Sequence, residues 1–384
     1  MRGTPQMARL INDRVALDLL LEQGPLTRPQ LRELTGLAHP TVAQLVDRLS
    51  AAGLIRVIGE RGEARRGPNA LAYGVVADAA YVGGVEVRDG QVGAAVADIT
   101  GSVLGSVTLP LDARREPADI VFAAVQAAAG HAVVPVDRLH SVVVGTPGTV
   151  DPATGDMGFS WDLPGWRANL LSSLRERVRR PVTLENEVNL AGVAERAEGV
   201  AAGRADFVLL SLGRGLGAAV ILEGRLRRGA SGGAGEIGLM PVPGAAVGRV
   251  RPGEPLREHF FQALAGGEAV LRIAARHGLT APTPAEAVAK GLGDNDFLAE
   301  VGEAVAMGVA SICAVIDPGL VVLAGTVGRA GGEALANAVA DRLAEIAPLP
   351  VEVRPSTLGD DAVVRGAIIT ALSAARAAFW GEPR

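Results

Sequence analysis

His39, Thr41, Ala43, Gln44 and Arg48 alternate with the apolar Val42, Leu45, Val46 and Leu49, so a helix through them presents one apolar stripe and one outward polar face. The Gln44 amide holds a donor and an acceptor side by side, which matches the edge that adenine shows in the major groove. Arg28 and Arg48 suit phosphate oxygens, which fix position without reading sequence. Arg61, Arg65 and Arg66 stand in a stretch with Gly62 and Gly67, where an arginine could enter a minor groove. The chemistry that these types and spacings support is recognition of double-stranded DNA. A solvated hairpin beside a small protein-interaction module is the alternative.

Other chemistry-bearing residues are sparse. Gly213-x-Gly-x-Gly217 has the spacing of a dinucleotide turn, but a strand rather than a helix is expected to follow it, which argues against that use. Cys313 is the single cysteine, so there is no internal disulfide and no cysteine-cluster zinc site, and its apolar surroundings read as core. The five histidines are scattered, and neither a metal nor a cofactor is expected.

The elements that must hold the polar face are legible nearby. Leu10, Ile11, Val15, Leu19 and Leu20 recur at helical spacing until Gly24-Pro25. Thr27-Arg28-Pro29-Gln30 has the form of a capping box opening a second helix, with Leu31 and Leu34 facing inward and Thr35-Gly36-Leu37 as the turn. The third helix takes Pro40 in its first turn and stops at Gly53. Residues 54–58 and 70–75 read as strands around the arginine-bearing loop. Three helices and a hairpin make a winged helix-turn-helix over residues 1–76, with the third helix placed to enter the major groove.

Charge agrees with this. The net charge is −5, yet the first seventy residues carry ten arginines against seven acids, which leaves the remainder at −8. A basic head on an acidic body suits nucleic-acid binding by one end. With 48% hydrophobic but only 3% aromatic residues, the cores must be built from Ala, Val, Leu and Ile. No apolar stretch runs uninterrupted for the ~18 residues of a membrane span, and no signal peptide is read, so a soluble cytoplasmic protein without a membrane partner is expected.

Residues 77–384 change pattern. Strands are expected over 81–87, 90–99 and 102–109, a helix over 117–129 and a buried strand over 141–145. A second run of strands begins at 207–212 and 215–222, and helices near 300–316, 330–346 and 361–378 alternate with strands over 320–324 and 351–354. Two β-rich, helix-flanked halves imply a duplicated α/β fold with a cleft between lobes.

Gly145-Thr146-Pro147-Gly148, Asp162-Leu163-Pro164-Gly165-Trp166, Glu185-Asn186-Glu187-Val188-Asn189, Gly213-Arg214-Gly215-Leu216-Gly217 and Gly232-Gly233-Ala234-Gly235-Glu236-Ile237-Gly238 follow one another in this order. Together they resemble the ROK family (repressor, open reading frame, kinase) over essentially the whole chain. The head resembles the xylose-repressor branch of that family in Arg28-x-x-Leu31-x-x-Leu34-Thr35-Gly36-Leu37 and Leu49-x-x-x-Gly53-Leu54-Ile55. The resemblance implies an α/β fold with a two-lobed ribonuclease-H-like (sugar kinase/actin-like) body. For members with a winged helix in front, it implies operator binding that answers to sugars.

The departures from that family matter as much. Its kinases cradle phosphates in an Asp-x-Gly-Gly-Thr hairpin, where this chain has Glu86-Val87-Arg88-Asp89-Gly90, with bulk and charge in place of bare amides. The second phosphate turn carries Arg214 instead of threonine, and the Asn-Asp pair with the catalytic base is Asn186-Glu187, one methylene longer. The family's zinc-binding histidine and three cysteines are replaced by Leu239 and by the thiol-free loop 249–258. Neither kinase activity nor zinc is expected.

The resemblance also implies sugar-contacting positions at Asp162, Asn186, Glu187, Glu236 and Glu258, whose oxygens suit the directed donors of a polyol. Four acids converging without the family's histidine favour an amino sugar over a neutral hexose. The alternatives are that Arg249 and Arg251 already neutralise them, or that the cleft is vestigial and kept for packing. Trp161 and Trp166 line either this cleft or the core. The chain thus reads as a transcriptional repressor, or a dual regulator, of carbohydrate or secondary-metabolic genes, a homodimer or tetramer on a palindromic operator. A sugar kinase carrying a DNA-binding arm is the rival reading. Pairing of copies is expected from the body, because the head shows no spare apolar stripe.

Overall fold

Thr27 and Gln30 form the capping box that their spacing predicts: the Gln30 amide donates to Thr27 Oγ1, and the Thr27 amide donates to Gln30 Oε1 at 2.9 Å. In the computed structural model, which describes residues 5–61, 70–88, 90–112, 114–160, 166, 169–246, 259–347 and 349–380, this box opens the second of three head helices. These are α1 (Pro5–Gln23), α2 (Arg28–Thr35) and α3 (His39–Ala51). Gly36 closes α2 in the left-handed conformation that glycine adopts without strain. A short β1 (Leu26–Thr27) pairs with β3 (Ala70–Val75), which pairs in turn with β2 (Ile55–Arg61), giving the sheet of a winged helix.

Val42, Leu45, Val46 and Leu49 are all buried, as the α3 stripe requires. The expected inward face of α2 and the expected lack of a spare apolar stripe on the head need correction. Leu34 is exposed while Leu31 carries the α2 contact. On α1 the buried residues are Asp13, Ala16, Leu17 and Leu20, whereas Ile11 and Val15 are 45% and 42% exposed. The helix is rotated so that Asp13 reaches α3 and Ala16 and Leu17 enter a core shared with the body. The head therefore does have a spare apolar stripe, at Ile11 and Val15, one helical turn apart.

The body opens with β4 (Tyr81–Arg88), β5 (Gln91–Asp98), β6 (Val103–Pro110), α4 (Pro117–His131) and β7 (Leu139–Thr146). A small ribbon, β8 (Thr149–Val150) and β9 (Met157–Phe159), precedes α5 (Leu170–Val178), β10 (Val182–Asn186) and α6 (Glu187–Glu198). The second lobe begins with β11 (Phe207–Leu212), β12 (Leu216–Leu222) and β13 (Arg225–Leu226). After α7 (Phe260–Ala265), α8 (Gly267–Arg276), α9 (Pro284–Lys290) and α10 (Asn295–Ile316), the chain alternates β14 (Leu320–Ala324), α11 (Gly325–Ile346), β15 (Glu352–Pro355) and α12 (Ala362–Trp380).

The two sheets have orders β6-β5-β4-β7-β10 and β13-β12-β11-β14-β15. In each, the first three strands are antiparallel and the last two add in parallel. This repeat of topology without repeat of sequence is the duplicated, ribonuclease-H-like arrangement. The carboxyl ends of the parallel strands in both sheets open onto a single interlobe cleft, the usual place for a ligand in such sheets.

α10 and α12 are long and apolar enough to cross a membrane by length and composition, and each buries its apolar face in the interior. α12 lies so close to α6 that a Cβ on Gly366 would sit 1.9 Å from the Leu190 carbonyl oxygen, which is why that position has no side chain. Its last turn reaches the head. Trp380 and Leu372 share one apolar cluster with Ala16, Leu17 and Leu20 of α1 and Ile99 of the first lobe. Arg376 donates to the carbonyls of Ile99 and Thr100 and lies over the Trp380 ring, 5.5 Å from its centroid.

Candidate functional site

The outward face of α3 presents His39, Thr41 and Gln44, all exposed. Pro40 sits in the first turn of α3, where a missing amide hydrogen costs nothing. Two arginines expected at phosphates are already engaged within the head. Arg48 forks onto the 8%-exposed Asp13, with Nε donating at 2.9 Å and Nη2 making a second, shorter contact. Arg28 donates to Asp47 at 2.6 Å and lies over the Tyr73 ring. Both guanidiniums remain 40% exposed. They brace α3 against α1 and the wing sheet, and neither acidic partner was singled out from the sequence. Arg61 ends β2. Arg65 and Arg66 lie outside the described residues.

The cleft between the lobes encloses about 820 Å³. Asn186, Glu187 and Glu236 are among the residues that line it, and Asp162 and Glu258 lie outside the described residues. Asn186 caps α6: its Oδ1 accepts from the Asn189 amide at 3.0 Å, and its Nδ2 donates to the Gly148 carbonyl at 2.9 Å. Glu187, the first residue of α6, stands where the helix dipole favours a negative charge.

Behind these residues is a support that sequence reasoning missed. Glu185, 4% exposed, accepts from the Asn186 amide and from Asn189 Nδ2 through Oε1. Its Oε2 accepts from Arg228 Nε at 2.6 Å, which ties β10 of the first lobe to the segment after β13 of the second.

Glu236 follows Gly235, whose φ of +98° and tight fit against β12 admit no side chain. Burial pushes the Glu236 carboxyl above its usual range. At the end of β4, Glu86 is 5% exposed and its Oε2 accepts no hydrogen bond, although Arg88 Nη2 lies 3.3 Å away. Burial raises its pKa to about 7, opposed by Arg88 and Arg329 and reinforced by Asp360 and Asp361.

Arg329 of α11 pairs with Asp360 at the same end of the cleft. The turn at Arg214 is pinned by Gln262, which accepts from the Leu216 amide at 3.0 Å and donates to the Arg214 carbonyl at 2.9 Å. Gln262, Arg329 and Asp360 carry no local sequence signal. Trp166 lies in the apolar core of the first lobe and not in the cleft lining. Among the described residues, no His, Cys, Asp and Glu group is arranged to hold a metal ion.

The arrangement offers a polar helix face suited to base edges and an acid-lined cleft suited to hydroxyl or amine donors. Guanidiniums stand in that cleft at the two turns where phosphates would need bare amides.

Comparison with known proteins finds the same two parts. The ROK family model matches residues 82–374, and a MarR family model matches residues 14–66. The xylose repressor of Bacillus subtilis (strain 168) is 25% identical over 250 residues, which cover 60% of this chain and 60% of the repressor. The chain is thus matched over about three-fifths of that relative's length. A solved ROK family transcriptional regulator, described as a homologue of the E. coli MLC protein, superposes over 95% of this chain and 97% of its own, with a TM-score of 0.73. At 20% identity that likeness speaks for the fold alone. The ROK hexokinase from Thermus thermophilus is 28% identical, with a TM-score of 0.64 over 77% of this chain and 99% of its own.

Proposed function

Since the chain belongs to the ROK family, we propose that it is a sugar-responsive, DNA-binding transcriptional repressor with a head over residues 1–76 and a sensing body over residues 77–384. The observation that carries the reading is the α3 face, where His39, Thr41 and Gln44 point outward within the MarR-like segment. Gln44 reads a base, and the neighbouring arginines and wing hold the backbone. Two copies, paired through the body or through Ile11 and Val15 of α1, occupy a palindromic operator with half-sites about one helical turn apart.

The body senses a sugar derivative. Asn186, Glu187 and Glu236 accept hydroxyl hydrogens from one ring, and the acids favour an amino sugar over the neutral hexose. Phosphoryl transfer is not part of this reading, because Arg88 and Arg214 occupy the phosphate turns and Glu187 replaces the aspartate base. The cell compartment follows from the role: a regulator of this kind works in the cytoplasm.

A second reading has one observation in its favour. The likeness to the Thermus thermophilus hexokinase covers nearly all of that enzyme, which keeps a sugar kinase with a DNA-binding arm as the rival. Genome-wide mapping of DNA bound by the protein tests the primary reading. Discrete sites beside carbohydrate or secondary-metabolic genes are expected, and the absence of any enriched site would overturn it.

A further inference from the structure

The cleft offers more room than one sugar ring fills: pockets of roughly 300–1,000 Å³ take ligands of drug size, and this one, at about 820 Å³, is near the top of that range. Several carboxyls line it, and Glu236 and Glu86 are two of them. Glu236 is half-buried beside Gly235. The charged neighbours of Glu86 include Arg88, Arg329, Asp360 and Asp361.

Glu86 is the more demanding of the two. It is 95% buried, it faces the cleft, and its Oε2 lacks a hydrogen bond. Arg88 Nη2 lies 3.3 Å from that oxygen without making a hydrogen bond, so a ligand that donates to it supplies what the ion pair leaves unmet. Asp360 is paired with Arg329 and Asp361 with Arg365, so Glu86 is the acid of this group left to accept from a ligand, and an ammonium meets it with a charge-assisted hydrogen bond that a neutral hydroxyl cannot make.

We propose that the abandoned nucleotide half of the cleft is a second ligand subsite, and that the cleft binds an amine-bearing saccharide of at least two rings. One ring lies against Asn186 and Glu236, and the ammonium of the next donates to Glu86. This rests on the reading of the cleft as the effector site and extends it past a single ring.

Titration calorimetry at fixed salt tests it with three probes: glucosamine, the β-1,4-linked glucosamine dimer, and cellobiose, which has the same linkage and length without the amines. The glucosamine dimer is expected to bind at least about ten-fold tighter than either of the others, the size of one charge-assisted hydrogen bond to a buried carboxylate. Glu86→Gln, shown by thermal melting to be folded, is expected to remove that advantage while leaving glucosamine affinity unchanged. Equal affinity of glucosamine and its dimer would overturn the second subsite. Equal affinity of dimer and cellobiose, or an unaltered dimer affinity in Glu86→Gln, would overturn the role of Glu86. If no saccharide binds at millimolar concentration, the effector reading itself fails and the subsite with it.

Discussion

Arg48 on the outward-facing helix α3 and Asp13 on α1, thirty-five positions apart, form a two-pronged ion pair whose acid is almost fully buried. Bidentate pairing of this kind fixes orientation as well as distance. It sets the angle at which α3 leaves the head, and so the direction in which Gln44 points.

Removing one partner leaves the other stranded. Asp13→Ala is expected to cost about 1–3 kcal/mol of stability, because a partly buried guanidinium loses its hydrogen bonds. Gln44→Ala, on the exposed side of the same helix, is expected to change stability by less than about 0.5 kcal/mol. Denaturant titration of both variants measures the contrast. Equal stabilities would show that the pair does not brace α3.

Glu86 gives a pH dependence of defined sign. Its carboxyl is raised from 4.5 to about 7 by burial, so the folded chain holds this proton more tightly than the unfolded chain does. The contribution is full below about pH 4.5 and is lost as pH rises through 7. The gap corresponds to up to about 3 kcal/mol. Glu86→Gln is therefore expected to match the wild type near pH 4 and to melt higher near pH 8. A difference between the two proteins that does not vary with pH would contradict this.

How much of this was legible in the sequence depends on the range of each interaction. The capping box joins Thr27 to Gln30 and the α3 stripe runs from Val42 to Leu49, all within one or two helical turns, so spacing alone revealed them. The alternation of strands and helices likewise gave a duplicated α/β body. The inward assignment of Leu34, and the expectation that the head has no spare apolar stripe, failed because periodicity shows that a helix has an apolar face but not what covers it. On α1 the covering surface includes Trp380, from the far end of the chain. Arg48–Asp13 and Arg228–Glu185 pair residues distant in sequence, and no local pattern shows that the two will meet. The family motifs marked Asn186, Glu187 and Glu236 for the cleft, but Gln262 and Arg329 reach it only through tertiary packing.

Phosphoryl transfer gives a direct check on the rival reading. The purified protein is expected to phosphorylate neither hexoses nor amino sugars with ATP, and Glu187→Asp is expected not to restore the reaction while Arg88 and Arg214 remain. Turnover at ordinary kinase rates, ~1–100 per second, would contradict this.

The most direct test of the DNA-reading role is selection of binding sites from random duplexes, followed by titration at one fixed salt concentration. The wild type is expected to enrich a palindromic site and to bind it at least ~1,000-fold tighter than random DNA. Gln44→Ala is expected to lose ~1–3 kcal/mol of discrimination at one base pair in each half-site, with its affinity for random DNA unchanged. A wild-type protein without preference over random DNA, or a Gln44→Ala variant that selects an identical site with identical affinity, would contradict the assignment of α3 as the reading helix.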